Sequence, residues 1–570
     1  MSHVSRSPWL KSFLPVILVM ASLCLALPGL AQPVVGSSNT ATADPSVPRP
    51  HTTPCAVQLF SNFQFADFSP KPFTYTPAAG CPGPWAKVVL EADFSVTAGR
   101  QFDRTAQIAV GHVNVYFGTT PEPSRTVAPT WHVERDLTDY SPLFRTAQAG
   151  EANIGNLVNS TFTGVISGSA RLLFYPSSHS EPAPRTADVV LPMATAPGGA
   201  VLLQTTADVL APTFSLPANV ESAYLDVITQ SQSSDEFWYT CVPDDVANEL
   251  FSCGGTAFRE AEVTIDGQPA GLAPVYPWIF TGGIDPLLWR PIPGVQTLNF
   301  PPYRVDLTPF AGVLSNGQPH QVGLSVFNSN HYFQVTGTLL LYLDAGSSHV
   351  TGGVTQNTLG SGPHPSVEEN LTTATDGTIT GTVNTAAQRS FTLAGYVNTS
   401  HGKVETTIRQ HVEFSNDQQF VNSATQFVQN ITQTTQVHSE TDTKQPGSVS
   451  HSETQLSYPL SLDINFVVNP DGSFAQTTTS DQAFASQEAR GGNAGDDHNG
   501  ASKVFNNVTS TDTLLFDAAG NLTGFQGRKS SQTYSSQSPG GVCYNRTITA
   551  ENGVLTAVTD QNGCGGHGDR

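Results

Sequence analysis

The sequence predicts an all-β protein: two tandem antiparallel jelly-roll or β-sandwich domains, followed by a β-rich C-terminal domain. Three observations carry this reading. Nearly every strongly patterned segment alternates apolar and polar side chains with the period of a strand. Turns rich in Gly, Pro, Asn and Asp separate those segments, and no long helical stripe interrupts them. At 570 residues the chain also exceeds what one core accommodates.

The elements follow in chain order. Arg6 and Lys11 precede the apolar run Phe13 to Leu27, and Gly29-Leu30-Ala31 supplies small residues, so 1–31 reads as a signal peptide cleaved after Ala31. A membrane anchor is the competing reading, disfavoured by Pro15 and Pro28. The mature chain is expected to be exported, either secreted or periplasmic, and free of the membrane. Residues 32–53, rich in Pro, Ser and Thr, read as a flexible leader. Strands expected at Lys87 to Phe94, Ala106 to Phe117 and Ala170 to Tyr175 belong to a first domain, 54–195, which ends where Met193 to Gly199 breaks the pattern. Ala223 to Thr229, Phe258 to Ile265, Gln321 to Phe327 and Val335 to Leu343 build a second, 196–345. Beyond it the composition turns to Ser, Thr, Asn and Gln, and all six tryptophans lie before residue 290. Leu456 to Val467 and Thr513 to Gln526 still alternate, so 346–570 reads as a β-rich accessory domain, an unpromising place for the chemistry.

Cys24 falls in the signal, which leaves Cys55, Cys81, Cys241, Cys253, Cys543 and Cys564, an even set suited to an oxidising compartment. Proximity suggests the pairs Cys55–Cys81, Cys241–Cys253 and Cys543–Cys564. The histidines are scattered without HExxH spacing and no G-x-S-x-G elbow occurs, so neither metal nor cofactor is expected. Forty-six acidic residues against 25 basic ones, a net −21, oppose nucleic-acid binding over any broad surface. An acidic surface is compatible with a neutral sugar ligand and suits an acidic medium. N-x-Ser/Thr sequons begin at Asn159, Asn370, Asn398, Asn430, Asn507, Asn521 and Asn545.

Four clusters compete for a functional role. In Gln101-Phe102-Asp103-Arg104 a carboxylate and a guanidinium stand at the entrance to an alternating segment. The plain alternative is a solvated ion pair. Ser234-Asp235-Glu236-Phe237-Trp238-Tyr239-Thr240-Cys241 sets two acids before three aromatics, able to handle protons and stack on sugar rings; the alternative is an edge strand with acids in water and aromatics inward. Thr281 to Gly294 is a Gly- and Pro-shaped loop that can place Trp289 and Arg290 over a pocket, or else a structural turn capped by a packed tryptophan. In Trp131 to Tyr140 structure is the default, with Asp136 and Asp139 expected to cap the turn into Tyr140.

The ordered set Phe102-Asp103-Arg104, Gly118-Thr119-Thr120-Pro121-Glu122-Pro123, Trp131-His132-Val133-Glu134, Asp235 to Tyr239, Phe258-Arg259-Glu260, Thr281-Gly282-Gly283 and Leu288-Trp289-Arg290-Pro291 resembles the acidic peptide-N-glycanases. These are the type A peptide-N4-(N-acetyl-β-glucosaminyl)asparagine amidases. The likeness spans roughly residues 55 to 345 and implies that the two jelly rolls form the catalytic unit. It implies hydrolysis of the amide joining Asn to the first GlcNAc of an N-glycan, with N-glycopeptides and denatured glycoproteins as substrates; separately, the chain is expected to be a monomer. A more distant likeness, to the two-jelly-roll bacterial glycoamidase, makes Asp103 the central catalytic residue with Arg104 beside it. Arg290 matches a second site arginine. That enzyme's other site glutamates align on Gly255 and near Ser160-Thr161, so Glu236 is the candidate for the missing acid. Phe102, Asp235, Trp238, Trp289 and Arg290 are the expected substrate contacts. The competing functions are an endo-β-N-acetylglucosaminidase, with Asp103 and Glu236 as its carboxyl pair, and a non-catalytic glycan-binding sandwich.

Overall fold

Alternating segments become strands because each can bury one face, and the fold follows from which faces meet. The computed structural model describes residues 33–491, 499–561 and 563. The expected signal peptide lies outside the described residues.

Eight strands make the first unit: β1 (Cys55–Phe65), β2 (Lys71–Tyr75), β3 (Trp85–Val96), β4 (Thr105–Val110), β5 (Val113–Thr119), β6 (Thr130–Asp136), β7 (Gln148–Ile154) and β8 (Ile166–Pro176). They form two four-stranded antiparallel sheets in the orders β1-β8-β3-β6 and β2-β7-β4-β5, the connectivity of a jelly roll. Val88, Leu90, Ala92, Ile108, Tyr116, Phe144, Leu172 and Phe174 fill the space between them.

The same connectivity recurs in the second unit, built from β9 (Val189–Pro192), β10 (Val201–Leu203), β11 (Thr213–Ser215), β12 (Val220–Gln232), β13 (Glu260–Ile265), β14 (Gln268–Pro274), β15 (Tyr303–Asp306), β16 (Pro319–Phe327) and β17 (Tyr332–Leu343). One sheet runs β10-β17-β12-β15, with β9 also pairing β17, and the other β11-β16-β13-β14. Its first strand is thus split in two; otherwise it is a second jelly roll, as expected.

The polar C-terminal region forms one antiparallel sheet of twelve strands among the described residues, reaching 21 residues at Ile379–Thr399 and Gly402–Asn422. It is not a detached accessory. Phe391, Ile408, Phe414, Leu460 and Leu462 share a core with Leu225, Val263, Leu324 and Leu339 of the second roll.

Several local expectations change. The segment Ala106 to Phe117 is a hairpin, not one strand: Gly111 and His112 take positive φ (55° and 64°), and Gln107 faces Phe117. Positive φ at both central residues favours the right-handed twist of a two-residue turn, a signal that alternation conceals. Thr513 to Gln526 likewise spans a chain reversal, whereas Leu456 to Val467 keeps one direction and is only interrupted at Tyr458-Pro459. The supposed flexible leader is a strap. Gly36 N–H donates to Leu555 O (2.8 Å), Ala43 N–H to Gln532 Oε1 (2.6 Å) and Val47 N–H to Glu134 Oε2 (2.8 Å), while Arg49 pairs with Glu91 and Glu134. Polar composition signals disorder only when the backbone has no partner elsewhere, and here it has several. Asp136 caps Thr138 N–H (3.0 Å) as expected, whereas Asp139 reaches the second roll and accepts from Arg304 (2.7 Å).

Cys55–Cys81 and Cys241–Cys253 are bonded. Cys543 is also in a disulfide; its expected partner, Cys564, lies outside the described residues.

Candidate active site

The hairpin β4–β5 decides where the site lies. Laid out as one strand, residues 103 and 122 would stand about 60 Å apart. Folded back at Gly111-His112, Thr105 pairs with Thr119, so Asp103 and Glu122 emerge together at the same end of the first roll. Thr120 ties that end shut, donating its N–H to Arg104 O (3.0 Å) and accepting from Arg104 N–H at its hydroxyl (2.9 Å).

The long connection between β14 and β15 carries the third cluster and lies along β5. Thr119 N–H donates to Thr297 O (2.9 Å), Phe300 N–H to Phe117 O (2.8 Å) and Thr281 Oγ1 to Thr120 O (2.8 Å). This places Gly282 between the two acids. A Cβ there would sit 2.5 Å from Asp103 Oδ1 and 2.6 Å from Glu122 Oε1, so only glycine admits both carboxyls. Arg290 on the same loop donates from Nη2 to Glu122 Oε2 (2.7 Å). Ile284 in this loop has φ 61°, a conformation costing a β-branched residue roughly 1–3 kcal/mol that the surroundings must hold.

Glu236 enters from the turn after β12, half-buried and close enough for its charge to act on both other acids. Burial raises all three. Asp103 goes up to about 6, restrained by the Gly282 amide and the Arg104 charge. Glu122 goes up to about 7 through burial and the Asp103 charge, against the pull of Arg290. Glu236 goes up to about 7 through burial and the charges of Asp103 and Glu122. Three carboxyls in mutual range cannot all ionise cheaply, so the cluster retains protons in mildly acidic solution. Two cationic side chains face it with hydrogen-bonding capacity to spare. Among the described residues neither Arg104 Nε nor Arg290 Nε meets an acceptor, although both are buried. Arg104 otherwise donates to Gln101 Oε1 (2.8 Å) and lies 5.9 Å over the Phe102 ring.

The structure therefore brings together Asp103, Arg104, Glu236 and Arg290 of the residues singled out from sequence, with Phe102 at the rim, 46% exposed. The other three serve as supports. Asp235 is wholly buried; its Oδ1 accepts from Arg259 Nε and Nη2 (3.0 and 2.8 Å) and its Oδ2 from the N–H groups of Asn330 and His331 (2.9 and 2.7 Å). Trp238 is also wholly buried, packed on Tyr239 and Phe414. Trp289, 2% exposed, donates Nε1–H to Gly283 O (2.9 Å) and pins the loop. With no surface to offer, these three hold the chain that presents Glu236 and Arg290.

Glu122 is the residue that sequence reasoning passed over. Its signal was present in Thr119-Thr120-Pro121-Glu122-Pro123: an acid between two prolines just past a strand end, where the backbone is stiff. Among the described residues no group of three or more His, Cys, Asp or Glu side chains is arranged to hold a metal.

Residues 44–359 match the family model of peptide N-acetyl-β-D-glucosaminyl asparaginase amidase A, and residues 382–460 that of the PNGase A C-terminal domain. The chain is 28% identical over 528 residues to peptide-N4-(N-acetyl-β-glucosaminyl)asparagine amidase A of Prunus dulcis, covering 88% of this chain and 89% of the relative. Among solved structures, PNGase F, a glycosylasparaginase from Flavobacterium meningosepticum, aligns with 51% of this chain and 96% of its own at 14% identity and a TM-score of 0.34. PNGF-II aligns with 51% of this chain and 66% of its own at 12% identity and a TM-score of 0.33. With the first family model spanning more than half of its residues, the chain belongs to the peptide N-acetyl-β-D-glucosaminyl asparaginase amidase A family.

Proposed function

We propose that this chain is a peptide N-glycanase that hydrolyses the amide between Asn and the first GlcNAc of N-glycopeptides and glycoproteins. The observation that carries the reading is the convergence of Asp103, Glu122 and Glu236 with Arg104 and Arg290 where the two jelly rolls meet.

Amide hydrolysis requires an activated water, stabilisation of the carbonyl oxygen as it gains charge, and a proton for the departing nitrogen. Asp103, whose ionised form the Gly282 amide and the Arg104 charge favour, takes a proton from the attacking water. The water oxygen bonds to the amide carbon, while the unspent donors of Arg104 and Arg290 meet the oxyanion. Glu236, kept protonated by burial and by its acidic neighbours, donates to nitrogen as the C–N bond breaks. Glu122 anchors Arg290 and holds Glu236 in its protonated form. The products are an Asp-containing peptide and a glycosylamine, which then loses ammonia. Phe102 offers the exposed aromatic face against which a sugar ring stacks.

Export by the N-terminal segment and operation below neutral pH belong to the same proposal. They are supported by the apolar run with its small-residue cleavage site and by the raised acids of the site.

The test replaces Asp103, Glu122 and Glu236 one at a time by their amides. Asp103→Asn is expected to lower kcat about a thousandfold or more, with thermal stability unchanged or higher because one repelling charge is gone. Glycopeptide binding by the variant, measured calorimetrically, is expected to persist. Activity retained at the wild-type level would remove Asp103 from the chemistry.

A further inference from the structure

Both loops that bring the second roll to the site are gripped by buried donors of the C-terminal sheet. The loop that follows Glu236 exposes three successive carbonyls toward that sheet. Asn416 Nδ2 donates to Tyr239 O (2.9 Å), Gln429 Nε2 to Thr240 O (3.0 Å) and Gln418 Nε2 to Cys241 O (2.9 Å). The amides also bond one another: Gln429 Nε2 donates to Gln418 Oε1 (2.8 Å), Gln418 Nε2 to Asn416 Oδ1 (2.8 Å), and Asn416 Nδ2 to Gln433 Oε1 (2.9 Å). All four residues are buried.

The arginine loop is held in the same manner. Gln482, wholly buried, donates to Pro277 O (2.6 Å) at one end of the loop and accepts from Val295 N–H (2.9 Å) at the other. Between those ends, Arg528 Nη2 donates to the carbonyl of Arg290 itself. The next carbonyl, of Pro291, accepts Ala41 N–H of the N-terminal strap (3.0 Å). The carboxyl of Asp512 on the sheet lies against that of Asp285 on the loop, a contact that holds only while one of them carries a proton; burial and Asp285 push Asp512 up to about 8.

Hydrophobic packing alone would bond a sheet to a jelly roll with less geometric demand. Buried amides aimed at particular carbonyls fix a loop's path, because each displaced carbonyl would be left without a partner. We propose that the C-terminal sheet is a template for the active site, with Asn416, Gln418, Gln429, Gln482 and Arg528 as positioning residues for the loops bearing Glu236 and Arg290. This inference rests on the glycanase reading above. It also accounts for the Asn and Gln content of a region whose sequence gives no sign of chemistry.

The test uses the full chain with Arg528→Met and, as a milder companion, Arg528→Lys, which keeps the charge but loses the planar fork. A defined N-glycopeptide is the substrate. Arg528→Met is expected to lower kcat by about a hundredfold with KM changed by less than about threefold, because Arg290 shifts while the sugar-binding face remains. Arg528→Lys is expected to fall between Met and wild type. Since Arg290 restrains the Glu122 pKa, loosening it leaves Glu122 uncharged to higher pH and removes a charge that keeps Glu236 protonated. The alkaline limb of the rate profile, set by Glu236, is therefore expected to move to lower pH in both variants. A residue that merely stabilises the fold would lower the melting temperature and the active fraction but leave that limb in place. An unmoved limb, or wild-type kcat in both variants, overturns the inference. An inactive wild-type chain overturns the glycanase reading, and the template role falls with it.

Discussion

Gly282 shows how closely the chemistry depends on single atoms. Its missing side chain is what lets Asp103 and Glu122 share one space, with 2.5 and 2.6 Å left to an added Cβ. Gly282→Ala is therefore expected to cost about a hundredfold in kcat while leaving the melting temperature close to wild type, because the displaced groups are the free ends of two side chains. Wild-type turnover in that variant would show that the two acids need not approach one another. Charges beside aromatics and glycines mark the clusters that hold Asp103, Arg104, Glu236 and Arg290, but the roles expected of Asp103, Arg104 and Arg290 come from the family resemblance, and that of Glu236 from the need for a further acid. What alternation does not reveal is which of several adjacent side chains turns inward. Asp235 and Glu236 are neighbours, yet one is sealed against Arg259 and the other faces the acids of the first roll. Trp238 and Trp289 were expected to meet sugar, but large aromatics bury more surface as loop anchors than at a rim, and the burial term decides.

At the scale of elements, the decisive features are reversals and loops. The two jelly rolls were legible because each strand pattern is local. The Gly111-His112 turn was not, since a hairpin whose arms both alternate reads as one long strand. Missing that turn also hides Glu122, which the hairpin carries back beside Asp103. The loop after Glu236 is closed by Cys241–Cys253, twelve residues apart in sequence, and leans on the amides of the C-terminal sheet. Replacing both cysteines by serine is expected to lower unfolding free energy by about 3 kcal/mol, from the entropy returned to the unfolded loop. Denaturant titration of the pair measures this. A loss near zero would mean that the sheet holds the loop unaided.

For the whole molecule, the sign of its buried charges sets the pH at which it is most stable. Burial raises Asp44 to about 6, Glu260 to about 7 and Asp512 to about 8, in addition to the three site acids. For each, the folded chain holds a proton that the unfolded chain releases near pH 4, so stability falls as pH rises from that value through the folded pKa. Glu134 acts in the opposite direction: burial is outweighed by His132 and Arg49, which bring it down to about 2, so its contribution is lost as pH falls from about 4.5 toward 2. Melting temperature is accordingly expected to peak near pH 4 to 5 and to decline toward pH 8. A melting temperature higher at pH 8 than at pH 5 would contradict the burial of these acids. The strap from residue 33 and the shared core of the second roll and C-terminal sheet were illegible for one reason: polar sequence does not announce partners that are hundreds of residues away. The central claim, cleavage at the Asn amide, is tested most directly with the wild-type chain and a defined N-glycopeptide in heavy-oxygen water, both products being read by mass spectrometry. The account predicts a free glycan with both core GlcNAc residues and a peptide whose Asn has become Asp carrying heavy oxygen. A peptide that keeps one GlcNAc on an intact Asn would contradict it.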